Sequence, residues 1–143
     1  MPSYYDEKKK CRVGTMDEEQ FYAECSAQNA AWFRSLMQRW TKAGGALKWG
    51  AGGVGLRGTI EGTEAAVCFL APQFGGKQDR IELACKTLIK QIGEKGSKKL
   101  EDAIRSAAGE QALGKTMLSV VQPGTLPAGK RQALAQAFLD LLA

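Results

Sequence analysis

The chain contains no histidine, and that absence excludes more chemistry than any residue present. Histidine is the commonest general base and metal ligand near neutral pH, so Ser-His-Asp triads, Cys-His dyads and most catalytic zinc sites cannot be built from these residues. Catalysis here would have to use carboxylates, lysine, cysteine, tyrosine or backbone groups. Close cysteine pairs are lacking too. Cys11, Cys25, Cys68 and Cys85 are separated by 14, 43 and 17 positions, unlike the short spacings of zinc and dithiol sites. Free, mostly buried thiols without disulfides are expected. Long apolar runs are also missing: the longest uncharged one, Ala65 to Ala71, falls far short of the roughly 20 residues a membrane helix needs. The polar amino end, Met1 to Lys10, has no apolar stretch behind it of the kind a secretory signal carries. These absences predict a cytoplasmic protein with no membrane contact and no cofactor.

What is present has the texture of a globular domain. Hydrophobic residues make up 44% of the 143 and charged residues 24%, so a packed core is expected and a disordered or fibrous class is disfavoured. Residues 1 to 14 show no apolar periodicity and read as a flexible, solvated arm. Residues 15 to 143 read as a single α+β domain.

Thr15-Met16-Asp17-Glu18 has capping-box spacing, which predicts a helix start. Phe21, Cys25, Trp32, Phe33, Leu36, Met37 and Trp40 then recur at mostly three- and four-residue steps until Gly44-Gly45. The pattern predicts one long amphipathic helix, with Ser26 to Asn29 as the place for a break. Its aromatic face suits core packing better than base stacking. From Ala46 the pattern changes to short stretches punctuated by glycine, predicting strands at Ala46 to Trp49, Val54 to Ile60 and Ala65 to Leu70. The last of these is apolar on both parities, as a central strand would be. A fourth strand is predicted at Arg80 to Ala84, then a helix to Ile92. A further helix follows Ser97 with Leu100 and Ile104, and a last helix opens at Thr125-Leu126-Pro127. Strands cluster between helices without βαβ alternation. The fold expected is α+β, with a long N-terminal helix, a small mostly antiparallel sheet of three to four strands, and C-terminal helices packed on one face.

Two motifs invite a nucleotide reading. Gly109-Glu110-Gln111-Ala112-Leu113-Gly114-Lys115-Thr116 matches the phosphate-loop pattern. In such a loop the backbone N–H groups around Gly109 and Gly114 cradle phosphates, Lys115 reaches the β and γ phosphates, and Thr116 holds magnesium. A true phosphate loop leaves a strand and enters a helix. Here a helical pattern precedes the motif, and only Met117 to Val121 separates it from Pro123. Gly50-Ala51-Gly52-Gly53-Val54-Gly55 matches the dinucleotide pattern, but Leu56 to Gly62 is a poor helix and a good strand, so the glycines read as a hairpin connection. Asp79, Glu82 and Lys86 lie close together in sequence, but the Glu to Lys spacing departs by two residues from that of a metal nuclease.

Charge gives the third signal. The net charge is +5, and Lys86, Lys90, Lys95, Lys98 and Lys99 face only Glu94 between positions 86 and 99. A basic edge of this kind can follow a phosphate backbone, with Arg34, Arg39, Lys42, Lys48 and Arg57 as candidates to extend it. A solvated, solubilising face is the plainer explanation of such a run. The function that fits these constraints is a non-enzymatic binding or accessory domain. Its expected partner is nucleic acid, bound through the Lys86 to Lys99 face, or an acidic protein. Two alternatives are kept: a phosphate-ligand protein using Gly109 to Thr116, and a self-associating protein in which the Phe21 to Trp40 face joins copies of the chain.

Overall fold

The structure, a computed structural model, describes residues 2–60, 62–73, 78–83, 92, 93, 98, 100–106 and 119–142. Its architecture is α+β. Two short strands, β1 (Tyr4–Asp6) and β2 (Cys11–Val13), pair antiparallel as a separate hairpin. The arm expected to be solvated is therefore folded back on itself.

Helix α1 (Glu18–Glu24) begins two residues later than the capping-box spacing predicts. Asp17 is the N-cap, its Oδ1 accepting the Gln20 N–H at 2.7 Å. Glu18 and Glu19 in the first turn suit the positive end of the helix dipole. Met16 is drawn inward instead: its side chain is buried, and its N–H donates to the Gly50 carbonyl at 2.9 Å.

The single long helix is two helices. Cys25 and Ser26 both take extended backbone, with ψ of 154° and 147°, and α2 (Ala27–Lys42) starts anew. The break falls at the start of the Ser26 to Asn29 stretch, and a buried carboxylate explains it. Asp79 accepts from the Ser26 N–H at 3.0 Å, the Ser26 Oγ at 2.7 Å and the Asn29 Nδ2 at 2.9 Å. A free helix start is the natural seat for an anion. Along α2, Phe33, Leu36, Met37 and Trp40 form the buried stripe. The helix ends at Gly44, whose φ of +101° favours glycine.

Among the described residues the main sheet has five antiparallel strands, where three to four were expected, in the order β3-β4-β5-β6-β7. They are β3 (Ala46–Trp49), β4 (Val54–Ile60), β5 (Thr63–Ala71), β6 (Arg80–Leu83) and β7 (Ser119–Val121). Consecutive short connections join the first four, and β7 arrives from much later in the chain to pair with β6. β5 occupies the centre, as its two-sided apolar pattern predicts. A short 3-10 turn (Pro123–Thr125) leads into α3 (Ala128–Asp140), which buries Leu134, Ala135 and Phe138. Residues 100–106 are also helical, with Leu100 and Ile104 buried in the same core.

Period-two alternation divides the sheet into a core face and an outer face. Val54, Leu56 and Ile60 of β4, Cys68 and Leu70 of β5, and Ile81 and Leu83 of β6 are buried in one cluster with Phe21, Phe33, Trp40 and Phe138 of the helices. The Trp40 indole Nε1 donates to the carbonyls of Arg57 at 2.9 Å and Ala46 at 3.2 Å, fastening α2 over the β3 and β4 edge. Phe21, Phe33 and Trp40 are fully buried within the chain, and Trp32 is half-buried. Phe21, Phe33 and Trp40 of the Phe21 to Trp40 face are thus packed in the interior of the chain. No helix of the described residues is long and apolar enough to cross a membrane.

Candidate functional site

The outer face of the sheet is built from residues that point away from the helices. The pairing register sets Lys48 opposite Gly55, Gly55 opposite Phe69, and Phe69 opposite Glu82, so these four form one row across β3 to β6. The neighbouring row sets Ala46 opposite Arg57 and Arg57 opposite Ala66. Val67 is the extra residue between the two registers: Leu56 pairs with Cys68 while Arg57 pairs with Ala66. This bulge keeps both Val67 and Cys68 buried while Ala66 faces outward.

Small residues beside a large ring leave a hollow of about 270 Å³, lined among others by Lys48, Gly55, Arg57, Ala66, Phe69 and Glu82. A side chain at position 55 would lie against the Phe69 ring: a Cβ built there meets Phe69 Cδ2 at 3.9 Å. The volume lies just below the ~300–1,000 Å³ of sites that enclose a drug-sized ligand, so the hollow suits one planar group laid on the ring. Its walls are apolar and its rim is charged. Lys48 is exposed, the Arg57 Nε meets Glu64 Oε1 at 3.2 Å, and Arg80 Nε meets Glu82 Oε1 at 2.7 Å. The Arg80 Nη1 is buried without a hydrogen-bond partner.

One end of the hollow is the loop between β3 and β4, which carries the dinucleotide-like glycines. It joins two antiparallel strands, and no helix follows it. Gly50 N–H donates to the Gly53 carbonyl at 2.9 Å, the Gly50 carbonyl accepts from Met16, and the Ala51 carbonyl accepts from Ser3 Oγ. The loop is held at both ends of its turn.

Among the candidate basic residues, Lys98 is exposed on a helical position. Lys86, Lys90, Lys95 and Lys99 lie outside the described residues, as do Gly109, Gly114, Lys115 and Thr116 and the whole phosphate-loop match. The elements on either side of that match are helix at 100–106 and strand at Ser119–Val121, the reverse of strand-then-helix. Arg34 stacks on the Tyr22 ring at 4.4 Å, and Arg39 donates to Gln136 Oε1 at 3.0 Å in the groove between α2 and α3. Lys48 and Arg57 lie on the outer sheet face.

The remaining candidates for chemistry are engaged structurally. Both carboxylate oxygens of Asp79 accept hydrogen bonds, the second from the Gln73 N–H at 2.7 Å, and its side chain is buried. Lys86, its sequence neighbour in the nuclease-like trio, lies outside the described residues. Among the described residues no cluster of three or more His, Cys, Asp or Glu could hold a metal ion. Burial pushes the Cys25 thiol up to about 12, with the nearby Asp79 and Glu24 charges adding to the effect. Burial alone raises Cys68 further. Neither thiol is a nucleophile near neutral pH, since the thiolate is the reactive form.

Sequence reasoning missed Phe69. In a strand that is apolar on both parities a phenylalanine reads as core. Only the pairing of Phe69 with Gly55 and Glu82 puts it on the outer face. Comparison of the chain with family models, with curated proteins and with solved structures found no match in any of the three.

Proposed function

We propose that the chain is a non-enzymatic binding module that takes single-stranded nucleic acid on the outer face of its sheet. The observation that carries this reading is the row Lys48, Gly55, Phe69 across adjacent strands, with Arg57 beside it. The aromatic ring lies between a missing side chain on β4 and Glu82 on β6, with Lys48 and Arg57 on the glycine side. Bases stack on such a ring whatever their identity, and lysine and arginine follow the phosphates. A duplex hides the faces of its bases, so only an unpaired base can lie on Phe69. The net charge of +5 supports the same reading by drawing a polyanion to the surface. The run Lys86, Lys90, Lys95, Lys98 and Lys99 supplies further positive charge along the chain.

The test is fluorescence anisotropy of a labelled single strand and a duplex of equal length at about 50 and about 200 mM salt. Tighter binding of the single strand, weakening steeply with salt, supports the reading. Phe69→Ala should weaken single-strand binding about tenfold, within the ~1–3 kcal/mol of one stacked base. Changing Lys95, Lys98 and Lys99 to Glu should weaken binding to every sequence alike. Absence of binding at the lower salt overturns the proposal and leaves an acidic protein as the partner to seek.

A further inference from the structure

The β1–β2 hairpin is fixed at its base and open at its tip. Two strands of three residues do not hold together in water unaided, and a polar network at the base secures this pair. The Arg12 guanidinium forks onto Glu24, with Nη1 to Oε1 at 2.7 Å and Nη2 to Oε2 at 3.1 Å. Arg12 Nε also donates to Ser3 Oγ at 2.9 Å. The Gln20 Nε2 donates to the Ser3 carbonyl at 2.8 Å and to Glu24 Oε2 at 2.7 Å, and the Gln20 Oε1 accepts from the Ser3 N–H at 3.2 Å. Ser3 in turn donates to the Ala51 carbonyl. The base of the hairpin therefore rests on the loop whose Gly50 lines the outer-face hollow.

The tip is organised differently. Asp6 is turned inward to make the turn: its Oδ1 accepts the N–H groups of Lys8 at 2.9 Å and Lys9 at 3.0 Å, and its carbonyl accepts that of Lys10 at 2.8 Å. Lys10 takes a left-handed φ of 55° to close the loop. The result carries three consecutive lysine side chains, all exposed, on a defined backbone. Tyr4 and Tyr5 are the exposed large hydrophobic side chains of the described residues, at 45% and 41%. Neighbours on a strand point to opposite faces. Tyr5 pairs with Arg12, which is committed to α1, so Tyr4 is the ring on the free face.

We propose that this hairpin is the second contact of the single strand bound on the sheet, with Lys8, Lys9 and Lys10 on successive phosphates and Tyr4 stacked on a base. The proposal rests on the single-strand reading of the outer face and extends its site across the β3–β4 loop. Lysine and aromatic together select unpaired nucleic acid over other polyanions, since phosphates satisfy the lysines and only free base faces satisfy the ring.

The experiment compares wild type, the triple variant Lys8→Ala, Lys9→Ala and Lys10→Ala, the single variant Tyr4→Ala, and Phe69→Ala, each titrated with a labelled oligothymidine single strand at several salt concentrations. All these side chains lie outside the polar network at the base, and circular dichroism spectra and melting curves confirm the fold. Each phosphate contact on a single strand contributes about 0.7 to the slope of log K against log salt. The triple variant is expected to flatten that slope by about 2. Tyr4→Ala is expected to weaken binding several-fold at unchanged slope. A triple variant with the wild-type slope and affinity overturns the hairpin contact while the sheet site stands. Wild-type binding that is absent overturns the reading beneath it as well.

Discussion

Asp79 sits at the mouth of strand β6 and binds Ser26 at the start of α2 through both the backbone N–H, at 3.0 Å, and the Oγ, at 2.7 Å. One carboxylate thereby joins the helix layer to the start of β6 across 53 positions of sequence. The same group accepts from Asn29 and from the Gln73 N–H, so it also shapes the turn between β5 and β6. Removing it leaves several buried donors without an acceptor. Hydrogen bonds to a charged group contribute about 1.5–3 kcal/mol each, and orphaned partners add their desolvation cost. Asp79→Ala is expected to destabilise the fold by about 3 kcal/mol, read from the midpoint of urea unfolding at unchanged slope. Loss below about 1 kcal/mol would show that solvent replaces the carboxylate.

The β3–β4 loop has a single position where glycine is required by contact. A Cβ on Gly53 would lie 2.0 Å from the Leu70 carbonyl oxygen and 3.1 Å from the Ala71 Cα, and φ is +154°. Both obstacles are backbone of the central strand, which cannot move aside without breaking the pairing of Val54 with Leu70. Gly53→Ala should cost about 1–3 kcal/mol. Gly52→Ala, where the nearest atom is Phe69 Cε1 at 3.9 Å, should change stability by less than about 0.5 kcal/mol. Thermal melting of the two variants side by side makes the comparison.

Acid should weaken the attachment of the hairpin. The hydrogen bond from Arg12 holds the Glu24 carboxyl below its ordinary value of 4.5, against a smaller opposing effect of burial. A folded-state value below the unfolded one means that this ion pair stabilises the protein above pH 4.5, and that the contribution disappears as pH falls through the folded-state value. Near neutrality Glu24→Gln is expected to lower stability by about 1 kcal/mol, as for a bidentate pair that is only partly buried. The gap between wild type and variant should close in acid. A gap that stays constant down to strongly acid pH would remove Glu24 as its source.

Thiol labelling should sort the cysteines by position in the fold. Cys11 is exposed on β2, whereas Cys25 and Cys68 are buried and free. Brief alkylation of the native protein followed by peptide mapping should find Cys11 modified and Cys25 and Cys68 protected. Cys25 and Cys68 should react only once denaturant opens the core, because burial disfavours their thiolates. Native labelling of Cys68 would mean that the sheet opens locally.

Local signals determine much of the architecture. Glycine punctuation and period-two alternation located β3 and β4 at their observed bounds, and the two-sided apolar run of β5 marked the centre of the sheet. Apolar spacing found the buried stripe of α2 and the last helix. These are properties of a few neighbouring residues, and backbone geometry translates them directly.

Tertiary structure decided what depends on residues distant in the chain. The division between α1 and α2 comes from the Asp79 carboxylate, more than fifty positions away. The fold of the first fourteen residues comes from Arg12 and Ser3 meeting Glu24, Gln20 and Ala51, none of which a local pattern announces. The candidate site is the sharpest case. Lys48, Gly55, Phe69 and Glu82 become one row only through strand register, and a slip of one residue would have sent Phe69 into the core. Composition and spacing decide which residues are apolar, charged or flexible, but pairing decides which of them share a face.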